Sequence, residues 1–147
     1  MTGDARRRLR PVVNVGAGDG ESPALDQAFD ADSLYALRAA VAAHGSQAGL
    51  SEGRTRDLVL AVHELAANAV RHGAGQGRLR LWAAPDAVRC EVTDAGVPGE
   101  ADATDATGWQ AEPGHGLWLV RRIADSACVR SSASGTVAAV IFRRVRS

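Results

Sequence analysis

Residues 58–73 read Leu-Val-Leu-Ala-Val-His-Glu-Leu-Ala-Ala-Asn-Ala-Val-Arg-His-Gly, an apolar helical pattern that carries one carboxylate, Glu64, and one amide, Asn68. A spacing of four residues places both side chains on the same face of a helix, one turn apart, where they can share a water molecule or a metal ion. Burying a carboxylate without a partner costs free energy. The stretch therefore predicts either a core helix that bears a polar site or an interfacial helix whose polar residues face solvent.

The remaining pattern places this helix second among three helices and four strands. Capping and turn residues predict a first helix from Asp32 or Ser33 to about His44, with Gly45 as its stop, and a second helix from Ser51 or Thr55 to His72 and Gly73. Strands are predicted over residues 78–82 and 87–92 around the turn at Pro85 and Asp86, a third helix over 116–124, and a last hairpin over 127–130 and 136–143. Residues 93–113 lack periodicity and are too long for an ordinary connection, which is typical of a lid. We expect an α+β two-layer sandwich, with three helices on one face of a mixed, mostly antiparallel sheet.

Length and composition narrow the class of protein. A chain of 147 residues is the size of one domain. Residues 1–22, rich in Arg and Gly, predict a flexible N-terminal arm, which leaves residues 23–147 as a single domain. The formal net charge is +0, so no global electrostatic attraction to nucleic acid or to an anionic membrane is expected. The chain contains no Lys, which excludes a P-loop.

The expected location is the cytoplasm. No apolar run approaches the roughly 18 residues of a membrane helix, and the Arg6-Arg7-Arg8 cluster is not followed by the apolar segment of a signal peptide. Cys90 and Cys128 each lie in a strand-like stretch, which is typical of reduced thiols rather than of a disulfide framework.

Two further stretches have the chemistry of a ligand site. Asp94-Ala95-Gly96 ends the second predicted strand, and a carboxylate at a strand end beside glycine is accessible to a ligand. Gly114-His115-Gly116 directly precedes the third predicted helix, where crowded backbone N–H groups and the helix dipole suit a phosphate. Each stretch by itself is equally typical of a turn.

Taken in order, Glu64-x-x-x-Asn68, Asp94-Ala95-Gly96 and Gly114-His115-Gly116-Leu117 resemble the ATP-binding domain of the GHKL superfamily. More narrowly, residues 64–73 and 116–120 are similar to the stand-alone anti-sigma factor serine/threonine kinases of bacteria. The resemblance covers about residues 25–145, so that residues 23–147 would form a single ATP-binding domain. It implies ATP and Mg²⁺ as ligands, and a sigma factor and an anti-sigma factor antagonist as protein partners. A homodimer is compatible with it.

The resemblance also implies a role for each residue. Asn68 would coordinate Mg²⁺, and Glu64 would be the general base that activates the attacking hydroxyl. Asp94 would accept a hydrogen bond from the adenine amino group. Gly96 would leave room for the base, and Thr136 would complete adenine recognition. The phosphates would be lined by Gly114, Gly116 and the backbone amide of Leu117.

Two departures keep a second function open. Val97-Pro98 occupies the family's third glycine position, and Asp125-Ser126-Ala127 lacks the aromatic-glycine pair often found after the third helix. The first substitution leaves turnover in doubt and favours, as an alternative, a regulatory module that binds nucleotide without catalysis.

A third function and a zinc site receive little support. Residues 12–20, Val-Val-Asn-Val-Gly-Ala-Gly-Asp-Gly, resemble the first motif of SAM-dependent methyltransferases, but the helix and acidic strand end required next are missing. His63-Glu64 begins like a zinc-protease motif, yet Ala67 stands where its second histidine belongs.

Overall fold

The chain folds into three α-helices and five strands within the residues that a computed structural model describes, which are 22–94, 116–132 and 135–144. The predicted arm and most of the predicted lid lie outside these residues. In chain order the elements are β1 (Leu25–Asp30), a 3₁₀ turn (Ala31–Ser33), α1 (Leu34–Gln47), α2 (Glu52–His72), β2 (Gln76–Ala84), β3 (Ala87–Asp94), α3 (Gly116–Ile123), β4 (Ser126–Ser132) and β5 (Gly135–Arg143).

The strands form one sheet in the order β1-β2-β3-β5-β4, and every pairing in it is antiparallel. α2 packs against α1 on one side and α3 on the other, and it contacts β2, β3 and β5 below. The core lies between these layers and is filled by apolar side chains of both, including Leu37, Val41, Leu58, Leu65, Leu79, Val88, Leu117, Val120, Val140 and Phe142. This arrangement confirms the predicted α+β sandwich with its helices on one face.

Strand β1 was not predicted, and its sequence explains why. Residues 25–30 read Leu-Asp-Gln-Ala-Phe-Asp, and Asp is depleted in strands. Asp26 accepts a hydrogen bond of 2.5 Å from Arg78 Nε on β2, and Arg80 lies within ion-pair distance. The hydrogen bond from Arg78 and the charge of both arginines hold the pKa of Asp26 below its usual value. A charged, short strand of this kind protects a sheet edge from pairing with another chain.

The first helix ends later than predicted. Gly45 is a buried residue within α1. A Cβ there would lie only 3.1 Å from Leu58 Cδ2 on α2, so the absence of a side chain lets the two helices approach each other. The stop is Gly49, whose φ is +97°. Its N–H donates to Ser46 O at 3.0 Å, and the Leu50 N–H donates to Gly45 O at 3.1 Å. These two bonds are a Schellman motif, with Leu50 as the buried residue that follows it.

The helix starts confirm one predicted cap and correct another. Ser51 caps α2, since its hydroxyl accepts from the Arg54 N–H at 3.1 Å. Before α1, however, the capping side chain is that of Asp30, which accepts from the Asp32 N–H at 2.9 Å, and Ser33 makes no such bond to α1. The prediction of Asp32 or Ser33 missed the intervening 3₁₀ turn.

A partly buried ion pair joins the start of α2 to the end of α3. Arg54 is 8% exposed, and its guanidinium donates to the carboxylate of Asp125 and stacks over the Phe142 ring at 4.9 Å. The same carboxylate accepts from the Arg143 N–H at 2.8 Å. Asp125 therefore ties α2, the α3–β4 junction and β5 together at one point.

Neither Cys90 nor Cys128 forms a disulfide. Cys90 lies in the core, where burial raises the pKa of its thiol, while Cys128 is half-buried on β4. Among the described residues, none of the helices is long and apolar enough to cross a membrane.

Candidate functional site

Helix α2 presents the two polar residues that its sequence singled out. The helix is continuous from Glu52 to His72, so Glu64 and Asn68 stand one turn apart. Asn68 is only 5% exposed, Glu64 is half-buried, and their neighbours Leu65 and Ala69 are in the core. The pair therefore lies at the margin of the core, as expected for a helix that bears a polar site.

Arg71 engages the amide of Asn68. Its Nη2 donates to Asn68 Oδ1 at 2.6 Å, and the rest of this side chain is exposed at the end of α2. The oxygen expected to bind a metal thus accepts a hydrogen bond from a cation in this structure. The sequence interpretation did not select Arg71, although its spacing of three residues from Asn68 places it on the same face.

Asp94 lies against the end of α2. It is the last residue of β3, and a Cβ built on Gly73 would meet its carboxylate at 2.8 Å from Cγ and 2.9 Å from Oδ2. The same Cβ would lie 2.6 Å from Ala69 O. The absence of a side chain at Gly73 therefore allows the carboxylate to approach the helix, a function that the sequence reading, which saw only a helix stop, did not predict.

Thr136 is the cross-strand partner of Asp94 in the β3–β5 register. Directly opposed residues project to the same face of a sheet, and two positions away on that face the pair Val92 and Ala138 lies in the core beneath the helices. Asp94 and Thr136 thus both face the helix layer. Their roles in binding a base stay predictions.

The third helix brings its first turn to the same layer. Gly116 is its first residue, and Leu117 is 2% exposed and packs in the core that α3 shares with α2. The remaining glycines of the predicted site, Gly96 and Gly114, lie outside the described residues, as do His115, Trp109 and Val97-Pro98.

No group of three or more His, Cys, Asp or Glu side chains suited to a metal occurs in the described parts of the chain. A groove of about 1010 Å³ lies between α1 and α2, but neither Glu64 nor Asn68 lines it. Mg²⁺ is commonly held by one or two protein oxygens together with phosphate oxygens and water.

Comparisons with known proteins agree with this geometry. A family model described as a histidine kinase-like ATPase domain matches residues 28–142. The crystal structure of the RsbU and RsbW domains of Rv1364c from Mycobacterium tuberculosis has a TM-score of 0.62 and 22% sequence identity, over 86% of this chain and 34% of that chain. The histidine kinase AdeS of Acinetobacter baumannii has a TM-score of 0.52 and 18% identity, over 96% of this chain and 77% of that chain.

The two solved structures are similar to this chain at low sequence identity. At such identities the two solved structures establish the fold alone, and the present chain spans about a third of the length of the Mycobacterium tuberculosis chain. A search of curated proteins finds no significant match.

Proposed function

The chain belongs to the histidine kinase-like ATPase domain family, and on that premise we propose that it binds ATP with Mg²⁺ and transfers the γ-phosphoryl group to a protein hydroxyl. The observation that supports the proposal most directly is the meeting of α2, β3 and β5, where the end of the helix that bears Glu64 and Asn68 touches Asp94, and Thr136 lies opposite Asp94. This geometry unites residues from three separate stretches of sequence on the helix side of the sheet.

The adenine would bind where Asp94 and Thr136 stand side by side. A carboxylate accepts a hydrogen bond from the adenine amino group, and a threonine hydroxyl can both donate and accept. Gly73 keeps the end of α2 free of a side chain at the point where it touches the Asp94 carboxylate.

The phosphates would lie between Asn68, Arg71 and the first turn of α3. Arg71 is an exposed cation whose guanidinium matches phosphate geometry, and the start of α3 at Gly116 and Leu117 offers backbone N–H groups. The amide oxygen of Asn68 fits Mg²⁺, because it is a hard, neutral oxygen ligand. When bound, the ion would offset the negative charge of the phosphates. Arg71 would then turn from the Asn68 amide toward a phosphate.

Glu64 would act as the general base. It takes the proton of the attacking serine or threonine hydroxyl, whose oxygen forms a bond to the γ-phosphorus while the bond from that phosphorus to the bridging oxygen breaks and ADP leaves. Its half-buried place one turn before Asn68 keeps the carboxylate close to the phosphate end of the site.

For the partners, we propose a sigma factor that the protein sequesters and an anti-sigma factor antagonist that it phosphorylates and thereby inactivates. The motif set at residues 64–73 and 116–120 supports this assignment, and the M. tuberculosis protein with the similar fold carries RsbU and RsbW domains. Such a kinase would act in the cytoplasm. Self-association stays a prediction.

A second function is favoured by one contact. Because Arg71 donates to the Asn68 amide oxygen at 2.6 Å, the metal position is engaged by a cation, and a regulator that binds nucleotide without Mg²⁺ and without transfer would retain this bond. Val97-Pro98, in the predicted lid, also motivates this alternative.

Titration calorimetry of the full chain with ATP and ADP, each with and without Mg²⁺, tests the proposal. We expect binding of both nucleotides and a higher affinity for ATP when Mg²⁺ is added.

Asp94→Asn replaces a charged acceptor, and a hydrogen bond to a charged group contributes about 1.5–3 kcal/mol, so affinity for adenine nucleotides should fall by about tenfold or more. An affinity for ATP that does not change when Mg²⁺ is added would favour the regulatory module. Absence of nucleotide binding would contradict both functions.

Gly73→Ala should weaken nucleotide binding and lower stability together. Its methyl group would be forced against Ala69 O and the Asp94 carboxylate, and overpacking of this kind costs about 1–3 kcal/mol. Thermal unfolding and nucleotide titration measure the two effects.

Gly53→Ala is the matched control on the same helix, because a Cβ there meets nothing within 4 Å. It should leave nucleotide binding unchanged and raise stability by about 0.5–1 kcal/mol, since alanine is the better helix former. Equal behaviour of the two variants would contradict the close contact at Gly73.

A further inference from the structure

The groove between α1 and α2 is separate from the proposed nucleotide site. The two helices run antiparallel, since Arg38 contacts His63 whereas Gly45, further along α1, faces the earlier Leu58 of α2. The space between them has a volume of about 1010 Å³, and its apolar lining is formed by Ala42, Leu50, Val59 and Leu60. We refer to this space as the hairpin groove.

Large apolar side chains at the hairpin groove meet solvent. Leu60, which lines the groove, is 39% exposed, and Tyr35, one turn before Arg38 on α1, is 76% exposed. They are two of the three exposed large apolar side chains among the described residues. An exposed apolar surface with polar residues around it is typical of a site that binds another protein.

Arg38 is held in place at one end of the hairpin groove. Its Nη1 donates to His63 Nδ1 at 3.2 Å, and its guanidinium lies over the Tyr35 ring at 5.6 Å from the centroid. A guanidinium carries several N–H donors in a fixed plane and matches the geometry of a carboxylate. This end of the groove is therefore suited to an acidic side chain.

The other end of the hairpin groove is acidic. Two carboxylates, Glu52 and Asp57, line it together with one guanidinium, that of Arg56, so the net charge there is negative. The rise of α2 from Glu52 to His63 is about 16 Å. The groove thus carries opposite charges at its two ends, with its apolar lining between them.

This distribution of charge makes the hairpin groove complementary to a second copy of itself. A two-fold axis through the middle of the groove reverses one copy end for end, so each Arg38 would meet Glu52 and Asp57 of the other copy. The same axis would place the apolar centres, with Leu60, against each other. A single residue set of this chain therefore supplies both sides of a matched interface.

We propose that two copies of the chain associate through their hairpin grooves about a two-fold axis. The four helices of the two hairpins form the interface, as in a helix bundle. Arg38 of each copy pairs with Glu52 and Asp57 of the other, and the two Leu60 side chains pack near the axis. The inference goes beyond the proposed kinase activity, because the interface uses neither Glu64 nor a nucleotide.

Sedimentation equilibrium of the full chain without nucleotide tests the proposal, and we expect the parent to form a dimer at micromolar concentration. Arg38→Glu places like charges together at both ends of the interface, and it should raise the Kd of the dimer by about tenfold or more. Leu60→Ser removes an apolar contact from the centre and should weaken the dimer by about tenfold. Circular dichroism of each sample checks that the fold is retained.

A charge exchange tests the pairing itself. Glu52→Arg with Asp57→Asn reverses the acidic end without placing a new cation beside Arg54, which lies 3.9 Å from Asp57. By itself this variant should be as weak a dimer as the Arg38→Glu chain. An equimolar mixture of the two variants should regain the association of the parent, because opposite charges then meet at both ends.

Arg122→Glu is the matched control, because it makes the same change of charge at an exposed position on α3, and it should keep the Kd of the parent. Equal weakening in this control would overturn the proposal, and so would a mixture that stays monomeric or an Arg38→Glu chain that associates like the parent. A parent that is monomeric even at millimolar concentration would overturn it in favour of a different protein in the groove. Nucleotide titration of the same samples decides separately on the proposed function.

Discussion

Glu64→Gln is expected to slow phosphoryl transfer by about a hundredfold or more while ATP and ADP bind as before, because a positioned general base contributes roughly 10²–10⁴-fold. Glutamine keeps the size and the helix propensity of the residue but cannot take the hydroxyl proton. The measurement is incubation of the chain with γ-labelled ATP, Mg²⁺ and a candidate antagonist, followed by quantification of labelled serine or threonine and by nucleotide titration of the same samples.

Glu52→Gln provides the control for this experiment. Glu52 lies in the exposed first turn of the same helix, so its substitution should leave both labelling and nucleotide binding unchanged. Transfer by the Glu64 variant at the parent rate would contradict the assignment of the base. If no cognate antagonist is labelled by the parent chain, the kinase proposal fails and the regulatory module remains.

Arg54→Ala is expected to lower the free energy of unfolding by about 1.5–3 kcal/mol, because it removes a hydrogen bond between charged groups that are largely shielded from water. Asp125 would lose its hydrogen bond from Arg54, and the Phe142 ring would lose the guanidinium stacked on it. Chemical denaturation monitored by circular dichroism measures the difference.

A control variant and a double-mutant cycle accompany the Arg54 prediction. Arg56→Ala, an exposed position two residues later, should change stability by less than about 0.5 kcal/mol. A double-mutant cycle of Arg54→Ala with Asp125→Asn should show a strong coupling energy, because the two side chains share one contact. A loss below 1 kcal/mol for Arg54→Ala would show that the pair does not hold the α3–β4 junction.

Local patterns predicted those elements whose signals lie within their own residues. The second helix combined apolar periodicity with the cap at Ser51, and the hairpins alternated around their turns, so their types and order were confirmed. Strand β1 was missed because its pairing with β2 and the burial of Phe29 depend on residues about fifty positions away. The end of α1 was wrong because Gly45 serves the contact with Leu58, whereas the stop signal was the later Gly49.

The residues of the candidate site also fall into those that local patterns predicted and those that they missed. The spacing of Glu64 and Asn68 by itself determined that the two side chains share one face of a helix, since the geometry of a helix depends only on residues that are neighbours in the sequence. Asp94 and Gly116 were selected by local chemistry, at a strand end and a helix start. Arg71 and Gly73 were missed, because their importance lies in contacts with Asn68 and Asp94 that no single motif contains.

By itself, then, the sequence determined an α+β domain whose second helix carries a polar pair, because periodicity and capping act over a few neighbouring residues. Only the tertiary structure decided that the end of the helix with the polar pair lies against Asp94, the cross-strand partner of Thr136. It also decided that Arg71 donates to the Asn68 amide, and that Arg54 and Asp125 join α2 to the end of α3. The physical reason is that these contacts depend on strand register and helix packing, which bring together residues separated by tens of positions along the chain.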